Sequence, residues 1–186
     1  GVVWDAWLSF VPFLEARVSA ARAAFKPLSA LAQCGAAPVE ELRSVMRSKV
    51  EGALLYGSMF LCMAPGYFET LEALQAELER TLTGMPPWTP AEVMRALGGW
   101  SMGWGERVVL ETLQFRAELW STAPDLLVHD VWLEAQSLPG RTFAKVSSVL
   151  LATMSVEEVC STAAWSQPGC DRKQVLVLYK AQLRAD

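Results

Sequence analysis

From Gly52 to Phe68 the chain runs for seventeen residues without a charge. A surface helix carries charge on one face of nearly every turn, so a stretch this apolar all round has to be enclosed, either by protein or by lipid. Just upstream, Pro38-Val39-Glu40-Glu41 sets a proline and two carboxylates where a helix start favours them. Downstream, Pro65-Gly66 cannot continue a helix. These limits predict a central apolar helix over about residues 39–63. Tyr67, Leu71, Leu74, Leu78 and Leu82 then recur at steps of four, three, four and four, the inward face of a second helix that ends at Gly84. The Ala64-Pro65-Gly66 corner is too short for anything but a fold back, so residues 67–83 are expected to form a helical hairpin with the central helix.

The rest of the chain reads as helix as well. Trp7, Phe10, Leu14, Val18 and Ala21 follow helical steps between Trp4 and Phe25, with Pro12 as an interruption and Lys26-Pro27 as the stop. Leu28 to Cys34 is expected to form a short helix closed by Gly35. Thr89-Pro90-Ala91-Glu92 has the form of a capping box. Helical periodicity returns over Glu106 to Trp120, from Pro124 to Ala135, and over Phe143 to Ala152; Ser155-Val156-Glu157-Glu158 is a second capping box. Gln174 to Tyr179 is strand-like, but a lone strand has nothing to pair with, so helix is preferred there. The expectation is an all-α, single-domain bundle of about seven to eight helices over residues 1–186.

Composition narrows the function classes. Hydrophobic residues make up 52% and charged residues 19% of the chain, against about 45–50% and about 25% in ordinary soluble domains. Such a surplus of apolar side chains points to a partner or a membrane. A net charge of -4 with scattered Lys and Arg excludes the basic footprint that nucleic acid requires. The chain has no Ile and no Asn, and five Lys against eleven Arg, the mark of a GC-rich coding genome. Cys34, Cys62, Cys160 and Cys170 form no Cys-x-x-Cys pair and stand far from the single histidine, so no metal site is expected. They read as buried thiols, with a disulfide between Cys160 and Cys170 as the alternative; localisation stays open, an intracellular or organellar site, with membrane association as an option, being expected ahead of a secreted one. The opening at Gly1, with no basic stretch and no small-residue cleavage site, is what a processed product or an excised fragment would show.

No catalytic constellation emerges. His129 adjoins Asp130 within an expected helix, where neighbouring side chains diverge too far to share an orienting hydrogen bond. Glu40-Glu41 and Glu157-Glu158 sit at helix starts, where the dipole accounts for them. Gly103-Trp104-Gly105-Glu106-Arg107 resembles the Asn-Trp-Gly-Arg signature of the helical apoptosis regulators, and Arg141 to Trp165 is similar to the last helices of tyrosine recombinases. Glu106 intrudes in the first, and Leu138 stands where the second family has a histidine, so neither resemblance assigns a family. No catalytic residue, cofactor or metal is expected.

The stretch that invites a role is Gly98 to Gly105, where four glycines alternate with Trp100, Met102 and Trp104. Glycine disfavours regular helix and large apolar rings disfavour a solvated linker, so these three side chains are the candidate partner interface. The function expected from the sequence is a non-catalytic helical subunit that docks onto other protein subunits. The alternatives are a membrane-associated subunit with residues 52–68 in the bilayer, and an apolar small-molecule binder or enzyme of unrecognised type.

Overall fold

A computed structural model of the chain describes residues 9–121, 127–139 and 142–153. The fold is an all-α bundle of eight helices with no sheet among the described residues. By packing the chain divides into two compact units, Gly1–Val108 and Val109–Asp186.

The first unit is built on α1 (Val11–Gln33) and α4 (Tyr67–Thr83). Pro12 lies in the first turn of α1, where its missing N–H has no partner to lose. The helix continues through Pro27 rather than ending there, so the short helix expected over Leu28 to Cys34 is its last two turns. Ala23, whose carbonyl loses its donor to the proline ring, is exposed together with Pro27, and water can serve that carbonyl. The true stop is Gly35 at φ 61°. There the Ala36 N–H reaches Leu31 O at 3.0 Å and the Gly35 N–H reaches Ala32 O at 3.1 Å, a Schellman closure. The buried face of α1, including Phe13, Leu14, Phe25 and Leu28, packs along α4, whose leucines at 71, 74, 78 and 82 are all buried as their spacing predicts.

The central helix is not continuous. It consists of α2 (Val39–Val45), a π turn (Met46–Val50) and α3 (Glu51–Leu54). The chain then breaks at Gly57, φ 70°, and resumes as a 3-10 segment (Ser58–Met63). Glycine permits this left-handed corner, and the corner folds the uncharged run onto the protein core: Leu54, Leu61, Cys62 and Ala64 are completely buried. Residues 52–68 therefore form several short pieces, partly buried and with Tyr56, Pro65, Gly66 and Phe68 exposed, rather than the one apolar helix that the bilayer alternative needs. No helix among the described residues is long and apolar enough to cross a membrane. The expected hairpin also changes, because α4 packs chiefly against α1 and α5 (Ala91–Leu97) and less against α2 and the 3-10 segment.

α6 (Trp104–Ser121) begins in the first unit and continues into the second, which also holds α7 (Leu127–Ser137) and α8 (Phe143–Thr153). Within the second unit the Phe115 and Phe143 rings meet edge to face at 5.5 Å. Arg116 donates to the hydroxyls of Ser148 at 2.7 Å and Ser147 at 3.0 Å. Its burial pushes the guanidinium below its ordinary value, which makes these neutral acceptors necessary to it.

Candidate functional site

The stretch singled out by its rings and glycines is mostly a helix junction. α5 ends in a second Schellman closure, with Gly99 at φ 62°, its N–H on Ala96 O at 3.1 Å, and the Trp100 N–H on Arg95 O at 3.1 Å. Only residues 98–103 form the loop, and Trp104 and Gly105 already belong to the first turn of α6. The capping box expected at Thr89 does not form: α5 has Pro90 at its N-cap with no side-chain bond. A capping side chain appears instead at α6, where Glu106 Oε2 accepts the Gly103 N–H at 2.7 Å.

The first N–H groups of a helix have no partners within it. At α6 they are met from across the unit by α4. Gln75 Oε1 accepts the Trp104 N–H at 2.9 Å, and Glu72 Oε1 accepts the Gly105 N–H at 2.9 Å. Farther along the same face, the wholly buried Glu79 accepts the Trp100 indole N–H at Oε1 (2.8 Å) and Arg43 Nε at Oε2 (3.3 Å). Glu72, Gln75 and Glu79 follow each other at steps of three and four, so one stripe of α4 supplies acceptors to two N–H groups at the start of α6 and to the Trp100 indole before it.

The approach is close enough to dictate glycine. A Cβ on Gly103 would collide with the Glu72 carboxylate, and one on Gly105 would stand 2.8 Å from the Phe68 ring.

The opposite wall comes from the π-containing helix. A π turn closes on the fifth residue, as the Glu51 N–H does on Met46 O, so it absorbs one residue more than an α turn. Arg43, Arg47 and Glu51, at four-residue steps, consequently share one side. Arg43 meets Glu79; Arg47 donates to Gly98 O at 2.9 Å and Gly99 O at 3.0 Å and lies over the Trp100 ring at 4.7 Å; Glu51 pairs with Arg107. Arg95 bridges Glu106 Oε1 at 3.2 Å and Glu72 Oε2 at 3.8 Å.

Burial governs the acids here. It raises Glu51 above the usual carboxylate value, opposed by the charge and hydrogen bond of Arg107 and by the charge of Arg47. It also raises Glu72, opposed by the Gly105 N–H, the Arg95 charge and the Glu106 N–H, while the Glu106 charge adds to the rise. Every carboxylate oxygen of Glu72, Glu79 and Glu106 is engaged by a donor of the chain. Their arrangement holds a helix end in place.

Of the three candidate interface residues, Trp104 has 0% exposure and offers a partner no surface in this conformation. Trp100 is half-buried, tied to Glu79 and set edge to face against Trp104 at 6.0 Å; Met102 is half-buried too. Among large apolar side chains, greater exposure falls just upstream. Trp88 is 81% exposed, and Met85, Val93 and Leu97 are exposed as well. Pro86, Pro87 and Pro90 restrict the backbone around Trp88, the Thr89 N–H closes a turn on Pro86 O at 3.0 Å, and Arg80 grips Thr89 O with two donors at 2.9 and 2.6 Å.

Cys62 is buried and Cys34 exposed; Cys160, Cys170, Ser155 to Glu158 and Gln174 to Tyr179 lie outside the described residues. The backbone of His129 belongs to α7, and its side chain also lies outside the description. Among the described residues no group of three or more His, Cys, Asp or Glu could hold a metal ion. Compared with protein-family models, with curated proteins and with solved structures, the chain matches none.

Proposed function

We propose that this chain is a non-catalytic helical subunit that binds other protein subunits, with Trp88 as the anchor of its contact surface. The observation that carries the reading is the way Trp88 is held. Scattered exposed leucines and valines are ordinary on any protein. A tryptophan 81% exposed on a proline-restricted turn, itself gripped from α4 through Arg80, is displayed rather than loose. A backbone already fixed beside the ring loses little freedom on docking, and tryptophan is enriched among the side chains that dominate interface energetics. The acids at this junction, Glu72, Glu79 and Glu106, support the non-catalytic half of the reading, since capping and ion pairing already engage them.

The test is cross-linking of the native chain in its source cells, followed by affinity measurement with whatever polypeptide cross-links near residues 85–97. Trp88→Ala is expected to leave the melting temperature unchanged and to weaken that association about thirtyfold, the equivalent of about 2 kcal/mol for one good anchor. Unchanged affinity in the variant, or cross-links confined to other parts of the surface, would remove the basis of the proposal.

A further inference from the structure

We propose that Arg17, Lys49 and Tyr56 form a second docking site, one that takes an acidic segment of a partner polypeptide. Arg17 reaches from α1 to the end of α3. Its guanidinium lies over the Phe13 ring at 5.6 Å and over the Tyr56 ring at 5.5 Å, and Nη1 donates to Ala53 O at 3.4 Å. The last carbonyls of a helix suit a cation, but this long bond uses only one of the guanidinium's N–H groups. Arg17 Nε is closed off from solvent and meets no acceptor. An arginine drawn into a protein is ordinarily paired with a carboxylate, and half-buried Arg17 has none among the described residues. Glu15, two residues earlier on α1, lies on another side of that helix, and Glu51 pairs with Arg107.

The surface beside Arg17 is open. Lys49, Ala53 and Tyr56 follow each other at steps of four and three, so they share one side of the helical pieces between the π turn and the corner. Lys49, Gly52 and Tyr56 are exposed, and Lys49 meets no carboxylate either. A Cβ on Gly52 would meet nothing within 4 Å, which leaves the floor of this strip clear. In a chain of net charge -4, two adjacent cations without acids draw a partner of the opposite sign. Lys49 and Ala53, where Arg17 arrives, stand about 6 Å apart along the helix, close to the spacing of about 7 Å between alternate carboxylates of an extended segment. That spacing favours a segment over a compact anion. Tyrosine and arginine are also enriched among the side chains that dominate interfaces. The site rests on the reading that this chain binds other polypeptides, though not on Trp88.

The probe is a hexaglutamate peptide titrated into the intact chain, followed by NMR at the Arg17 Nε–Hε and the Tyr56 ring. Hexaglutamine, inorganic phosphate and phosphatidylserine vesicles are the comparison arms. Hexaglutamate is expected to shift both signals and to lose affinity about tenfold between about 50 and about 500 mM salt. Arg17→Gln should weaken it about tenfold or more, and Lys49→Gln, whose exposed side chain holds nothing in the fold, about threefold. Trp88→Ala should bind hexaglutamate as the wild type does, so failure at this site and failure of the Trp88 surface are separate results. Shifts confined to other residues, wild-type affinity in folded Lys49→Gln, or stronger shifts with phosphate, vesicles or hexaglutamine than with hexaglutamate would each overturn the proposal.

Discussion

Replacing Gly103 by alanine adds one methyl group where the Glu72 carboxylate already stands. That carboxylate cannot step aside freely, because it accepts the Gly105 N–H at 2.9 Å and faces Arg95 at 3.8 Å. Moving it uncaps α6, and a lost cap costs about 0.5–2 kcal/mol. Leaving it in place forces overpacking, which costs about 1–3 kcal/mol. Alanine regains nothing from helix propensity, since glycine is the better residue at an N-cap. The chain takes the cheaper response, so the expected destabilisation is about 1–2 kcal/mol, a fall in melting temperature of about 2–8 °C for a chain of this size.

The companion variant is Gly52→Ala, the same chemical change in the exposed turn of α3, where an added Cβ meets nothing within 4 Å. It should stabilise by about 0.5–1 kcal/mol. Urea unfolding followed by circular dichroism measures both. If Gly103→Ala stays within about 0.5 kcal/mol of wild type, the junction is looser than its geometry states and the capping argument is refuted.

Leu74→Ala, in the buried seam of α4, should cost about 2–5 kcal/mol by chemical denaturation, and a loss under about 0.5 kcal/mol would place that face outside the core. Glu79→Ala leaves Arg43 and the Trp100 indole N–H without their buried acceptor and should cost about 3–5 kcal/mol, with Glu79→Gln milder because one oxygen remains; equal losses in the two variants would contradict the pairing described.

The parts of this fold legible in the sequence are those set by a single helix. The leucine steps and Gly84 gave α4 its limits and its buried face, and Gly35 marked the end of α1. What the sequence concealed depends on which side of an element meets water or another chain segment. Pro27 reads as a stop, yet on the solvent side of a long helix its lost hydrogen bond is inexpensive. Gly57 reads as one more small residue in an apolar run, and only the packing of Leu61 and Cys62 beneath it shows that it turns the chain.

The acceptor stripe of α4 left a signal in the spacing of Glu72, Gln75 and Glu79, which periodicity alone assigns to a solvated face. Its purpose is invisible until the start of α6 is brought against it. The rings of Trp100 and Trp104 were conspicuous in the sequence for the same reason. Glycine lets two helix ends approach closely there, and tryptophan fills the space between them.

The π turn at Met46–Val50 has a consequence for how this chain tolerates changes in length. Removing one residue from an α-helix normally rotates everything beyond it by about a quarter turn or more, and the interior no longer matches. A π turn already holds a surplus residue, so excising the exposed Ser48 would convert it to ordinary α-helix and keep Glu51, Leu54 and the corner at Gly57 in phase with their neighbours. The equivalent excision of exposed Ala73 from α4 would throw Leu74 and Leu78 out of the core. Deletion scanning with a folding readout distinguishes the two sites, and the tolerant one marks where the chain can shorten without rewriting its interior.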